Sequence, residues 1–223
     1  MKSYLGLHWL IPIARWRFRE VLGTEHLPRS GPFILAGNHV GSADPAFIFA
    51  EVYSHVRRPI TFVAMDIITH MLGKKFARRW VHLVEKNEAA PDACLVELRR
   101  ELAAGNPVGI FPEGMRNSAP FVLPGKTGVA RLALWSGAPV VPFGFQGPAT
   151  WSFNQGLRAF LTPRKDMTLR IGAPLRSPKP RTSRSPRSCS FRPRVPSWIQ
   201  LASFPTGLPR SRRPLKAAML GAL

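Results

Sequence analysis

A histidine and an aspartate five positions apart, His39 and Asp44, sit where an apolar run gives way to a turn in Phe33-Ile34-Leu35-Ala36-Gly37-Asn38-His39-Val40-Gly41-Ser42-Ala43-Asp44-Pro45. Across a tight turn these two side chains can face each other as a base with its orienter. The carboxylate accepts from one imidazole nitrogen, fixes the tautomer, and stabilises the imidazolium that forms when the other nitrogen takes a proton. General-base catalysis of this kind contributes about 10²–10⁴-fold. The plain alternative is that Asp44 only caps a helix and His39 is a loop residue. The pair alone does not decide between them.

A second group of chemically useful residues lies in Phe111-Pro112-Glu113-Gly114-Met115-Arg116-Asn117. Here a strand-like run breaks into a Pro/Gly loop carrying a carboxylate and a guanidinium. Arginine suits bidentate recognition of phosphate, and Gly114 lets backbone approach a ligand closely. A Glu–Arg pair on an exposed turn would be worth little by itself. In Gly125-Lys126-Thr127-Gly128 a lysine stands between glycines just before a helical stretch, a candidate anion site. Its spacing is not that of the nucleotide-hydrolase phosphate loop. The sequence offers no metal-ligand cluster, no cofactor motif and no nucleophile partnered with His39.

The elements that must position these residues alternate. Phe33–Ala36 reads as a buried strand, and Asp44-Pro45 as an N-cap followed by proline at the first helical position, with Ala46–Val52 carrying the helix. A basic loop is expected over Tyr53–Pro59, a strand over Pro59–Met65, a helix over Ile67–Trp80 and a short strand over Val81–Val84. Pro91–Ala104 is an amphipathic helix with Leu95, Leu98 and Leu102 on one face, and Cys94 on it is a small core residue. A strand over Pro107–Phe111, a helix over Val129–Trp135 closed by Gly137, and a strand over Pro139–Phe145 follow. Weaker strands are expected at Leu157–Leu161 and Thr168–Gly172. This pattern predicts one α/β domain with a largely parallel sheet flanked by helices. It places His39 at the carboxyl end of a strand, where open α/β sheets keep their sites.

Composition sets the outer bounds. The chain has 223 residues, 45% hydrophobic, enough for one self-sufficient core. No apolar run reaches the length of a membrane span. Cys94 and Cys189, the two cysteines, lie in unlike contexts, so no disulfide framework is expected and a reducing compartment suits the chain. The net charge of +20 is uneven: residues 1–166 hold 20 basic against 12 acidic residues, a net +8, and 12 Lys/Arg with no Asp/Glu follow. The moderately basic body fits an anionic membrane surface or a phosphorylated substrate. Nucleic acid is not expected as a partner. Residues 1–22 mix Trp9, Trp16, Leu5, Leu10 and Ile13 with Arg15, Arg17 and Arg19, and are expected to form an amphipathic segment at the membrane interface. A helix packed on the core is the alternative.

Asn38-His39, four residues, Asp44, then Phe111-Pro112-Glu113-Gly114-x-Arg116, then Val140-Val141-Pro142, in this order, resemble the glycerolipid acyltransferases, above all the 1-acyl-glycerol-3-phosphate acyltransferases. Gly23-x-Glu25-x-Leu27-Pro28 and Gly125-Lys126-x-Gly128 are similar to the same family, and the resemblance covers roughly residues 15–175. It implies that His39 is the general base, oriented by Asp44, for attack of an acceptor hydroxyl on an acyl-CoA or acyl carrier protein thioester. It further implies that Glu113, Gly114 and Arg116 hold the glycerol phosphate of lysophosphatidic acid, with Lys126 beside them, and that Val141 and Pro142 shape the acyl-binding wall. The product would be phosphatidic acid, made by a peripheral protein at the cytoplasmic face of the cell membrane. Main-chain amides near Gly41 are the candidate oxyanion donors. The chain departs from the family at Met115, where a threonine is usual, at Asn117, often a serine, and at Met65-Asp66, where a basic residue is common. These departures bear on the acceptor, so another lysophospholipid, glycerol 3-phosphate or a glycolipid stays open. So does a non-catalytic basic protein binding membrane or nucleic acid.

By this reading residues 1–22 are the interfacial segment, 23–175 the acyltransferase domain and 176–223 a disordered basic tail. The last 48 residues hold 11 Lys/Arg, 8 Pro and 8 Ser, a composition that buries too little apolar surface to order itself. The abrupt change after Leu175 motivates the hypothesis that the tail is a frameshifted reading. Translating the other frames past that point tests it, and the absence of a helix-coding frame there would refute it.

Overall fold

The structure, a computed structural model, describes residues 10–65, 83–86, 92–117, 119, 121–150, 152–162 and 164–176. Among these, seven strands form one sheet in the order β1-β7-β6-β2-β5-β3-β4. They are β1 (Phe18–Leu22), β2 (Ile34–Gly37), β3 (Thr61–Met65), β4 (Leu83–Lys86), β5 (Val108–Ile110), β6 (Val140–Gln146) and β7 (Met167–Ile171). The helices are α1 (Leu10–Trp16), α2 (Asp44–Val56), α3 (Ala93–Ala103), α4 (Gly128–Ser136) and α5 (Phe153–Leu161), with a 3₁₀ turn at Thr24–His26. All neighbouring strands run parallel except β6 and β7. The expected largely parallel α/β sheet is therefore present.

The central strands are apolar on both faces because both faces are covered. Along β2 and the residue before it the side chains alternate between two cores. Phe33 and Leu35 join Phe47, Ile48, Val52, Phe62, Val141 and Phe143 in one. Ile34 and Ala36 join Leu95, Leu98, Leu102, Val129 and Leu132 in the other. The leucines expected on one face of α3 are thus its buried stripe, and Cys94 is buried with them.

Four expectations change. Leu157–Leu161 belongs to α5 and is not a strand. Ser152 caps this helix, accepting from the Gln155 amide at 3.3 Å while Gln155 Oε1 accepts from the Ser152 amide, a capping box that starts a helix upstream of the apolar run. Tyr53–Val56 continues α2, which ends only where Arg57 adopts φ 53°. The short strand expected over Val81–Val84 is β4, over Leu83–Lys86, slightly later than expected. Phe18–Leu22, expected within the amphipathic segment, is the edge strand β1 against β7. Buried Arg17 fastens this edge by donating to the carbonyls of Ala159 and Thr162 and, at 2.6 Å, to Asp166 Oδ1. The helix expected over Ile67–Trp80 and the tail from 177 onwards lie outside the described residues.

Candidate active site

Three strand ends converge on His39. β2 runs straight into it, β5 leads into the loop from Phe111 to Asn117, and β6 leads to Thr150. Asn38 holds β2 to β6 just below the site: its Nδ2 donates to the Phe145 carbonyl at 2.8 Å and its Oδ1 accepts from the Phe145 amide at 2.7 Å.

His39 Nδ1 lies 3.2 Å from Asp44 Oδ2. The same carboxylate oxygen accepts from the amides of Val40 at 2.6 Å and Gly41 at 2.7 Å. Asp44 was expected to cap α2. It is the first helical residue, and its carboxylate turns back onto the preceding loop. The helix start is satisfied by main chain, the amides of Ala46 and Phe47 donating to the Ala43 carbonyl. Asp44 is 1% exposed. Burial pushes its carboxyl above the ordinary value near 3.8, opposed by the His39 contact and the two amides. The His39 imidazole stacks on Phe111, ring centroids 4.1 Å apart and 15° from parallel. Nε2 makes no hydrogen bond within the described residues and is the nitrogen available to a substrate.

The loop amides after His39 are occupied. Those of Val40 and Gly41 serve Asp44, that of Ser42 donates to the Thr150 carbonyl at 2.7 Å, and that of Ala43 donates to Thr150 Oγ1 at 3.3 Å. The expectation that amides near Gly41 receive an oxyanion is therefore corrected, since each already has an acceptor. Gly41 is needed for this packing. A Cβ there would stand 2.5 Å from Thr150 Oγ1 and 2.7 Å from the Thr150 nitrogen.

The second loop is brought to His39 through Glu113. This side chain is 4% exposed, and it accepts the His39 amide at 3.2 Å, Asn117 Nδ2 at 2.9 Å and the Leu123 amide at 3.1 Å. Gly114 takes φ 70°, in the left-handed region glycine favours, with the Lys126 side chain lying across it. Lys126 is exposed, and its amide donates to the Pro112 carbonyl at 2.8 Å. Arg116 Nη1 reaches the Thr150 carbonyl at 3.5 Å, the edge of hydrogen bonding. His39, Glu113, Gly114, Arg116 and Lys126 thus lie on loops, and Asp44 on the first turn of α2, joined to one another by these contacts. Val141 and Pro142 lie within β6, paired with Leu35 and Ala36 and buried inside the sheet. Sequence reading passed over Thr150 and the stacking of Phe111. Thr150 carries no motif of its own, and the motif that Phe111 opens gives no sign of the stacking.

A β-strand end bearing a histidine–aspartate pair offers a base with its orienter, and an arginine and a lysine on the adjoining loops offer cations to an anionic substrate. A family model described as Acyltransferase matches residues 18–146, from β1 to the end of β6, and the chain belongs to that family. The 1-acyl-sn-glycerol-3-phosphate acyltransferase of Borreliella burgdorferi is 28% identical over 174 residues, 71% of this chain and 66% of that protein. The protein of the same description from Bacillus subtilis is 28% identical over 169 residues, 70% of this chain and 73% of its own length. The chain thus spans just under two thirds of the first relative. The crystal structure of the 1-acyl-sn-glycerophosphate acyltransferase PlsC from Thermotoga maritima shares the fold, with a TM-score of 0.56 at 21% identity, covering 79% of this chain and 73% of that one.

Proposed function

We propose that this protein transfers a fatty acyl group from acyl-CoA or acyl carrier protein to the free hydroxyl of 1-acylglycerol 3-phosphate, giving phosphatidic acid. The observation that carries the reading is the 3.2 Å contact between His39 Nδ1 and buried Asp44, which leaves Nε2 open. In the transfer, Nε2 takes the proton of the acceptor hydroxyl as its oxygen attacks the thioester carbonyl. Asp44 holds the imidazole and offsets the charge it acquires. Collapse of the tetrahedral intermediate breaks the carbon–sulfur bond, and the imidazolium returns its proton to the leaving thiolate. The relatives named as 1-acyl-sn-glycerol-3-phosphate acyltransferases support the acceptor. Arg116 and Lys126 are the groups that would meet its phosphate.

The site would act on lipid from the cytoplasmic face of a membrane, as a peripheral protein. Trp16, 57% exposed, and Ile13, 37% exposed, stand on α1 beside Arg15, the composition of an interfacial surface. No helix among the described residues is long and apolar enough to cross a membrane. Labelled acyl transfer to lysophosphatidic acid in anionic vesicles, with oleoyl-CoA or oleoyl carrier protein as donor, tests the reading. Incorporation into phosphatidic acid is expected. A folded protein that transfers from neither donor would contradict it.

A further inference from the structure

Resting on the proposed transfer, we infer that Glu113 and Asn117 are positioning residues for His39, and that Glu113 takes no part in holding the acceptor. Both main-chain groups of His39 are held from the second loop. Its amide donates to Glu113 Oε1 at 3.2 Å, and its carbonyl accepts from the Asn117 amide at 2.7 Å. The two anchors are joined to each other, Asn117 Nδ2 donating to Glu113 Oε2 at 2.9 Å. The result is a closed hydrogen-bonded ring through His39, Glu113 and Asn117.

The ring is itself fixed on its far side. Glu113 Oε2 also accepts the Leu123 amide at 3.1 Å, Asn117 Nδ2 also donates to the Phe121 carbonyl at 2.7 Å, and Asn117 Oδ1 accepts the Ala119 amide at 2.9 Å. Glu113 therefore serves three donors from within a site only 4% exposed. A carboxylate held this way has little accepting capacity left and no open face for a ligand. It is also an anion, and so a poor neighbour for the acceptor's phosphate. Fixing the peptide of His39 sets where Nε2 stands, and a misplacement of about 1 Å in such a group can cost about 10²-fold in rate. Asn117 supplies two donors to separate acceptors while accepting a third bond. A serine hydroxyl has a single hydrogen to donate.

The test separates placement from binding. In steady-state transfer to lysophosphatidic acid, Glu113→Gln and Asn117→Ser are expected to lower kcat at least tenfold and leave the acceptor KM within about twofold. Arg116→Ala is expected to raise that KM. The double variant should be no worse than the poorer single one, because both break one ring. A raised acceptor KM in Glu113→Gln with kcat kept would overturn the inference. Amide hydrogen exchange at His39 gives a readout independent of turnover. Exchange is expected to be at least tenfold faster in folded Glu113→Ala, which has no oxygen for that amide, than in wild type, and unchanged protection would refute the ring. If wild type transfers to no acceptor, the proposed function fails while the exchange result still decides the positioning claim. If neither Glu113 variant folds, Asn117→Ala decides both measurements, since it keeps the Asn117 main-chain bond to His39 and has no side-chain donor for Glu113.

Discussion

At Asp44, burial and partnership act in opposite directions. Its carboxyl is raised by desolvation and pulled back by His39 and the amides of Val40 and Gly41. A folded pKa above the unfolded one means that the stability this group contributes is complete below about 3.8 and is lost as pH rises through the folded value. The ionised form is therefore held at a cost, for the sake of the imidazole. Asp44→Asn removes that cost and the orienting charge together. Its kcat is expected to fall by about 10²–10⁴-fold. Its denaturation midpoint should gain on that of wild type as pH rises above about 3.8. A variant that loses both activity and stability at pH 7 would show that Asp44 is mainly structural. Gly41 makes a second case. Alanine there would drive its Cβ into Thr150, so Gly41→Ala is expected to lower both the melting temperature and kcat, measured on the same preparation.

The elements around the site owe their form to different ranges of information. The β2–His39–α2 unit was legible because its signals are local: four buried residues in ILAG, then Asp-Pro at a helix start. The buried stripe of α3 was legible for the same reason. Leu98 is fully buried in it, so Leu98→Ala is expected to cost about 2–5 kcal/mol in urea denaturation. Phe18–Leu22 was not legible as a strand. Its residues FREVL carry two charges and bury fully only Phe18, and its partner β7 lies about 150 positions away. Leu157–Leu161 misled because an apolar run reads equally as strand or helix, and only the box at Ser152 and Gln155 decides it. Ser152→Ala is accordingly expected to cost about 1 kcal/mol, measured by urea denaturation. An unchanged midpoint would show that packing alone holds α5. The role of Glu113 was hidden for a related reason. Its partners are mostly main-chain amides, and main chain leaves no trace in side-chain spacing.

Over the whole molecule, the sheet gathers segments far apart in sequence onto one edge. His39, the loop after β5 and Thr150 after β6 meet because β2 lies between β5 and β6. The family match runs from β1 through β6 and ends just before Thr150, and the two cores beneath the site brace the strands from opposite faces. The charge of the chain is unevenly spread around this body, most of the +20 falling after residue 166. The most direct test is acyl transfer from labelled oleoyl-CoA and oleoyl carrier protein to lysophosphatidic acid in anionic vesicles, wild type beside His39→Ala at matched folding. Phosphatidic acid is expected from wild type with at least one donor, and turnover lower by at least about two orders of magnitude in the variant. A folded His39→Ala protein that transfers as fast as wild type would contradict the proposed role of His39.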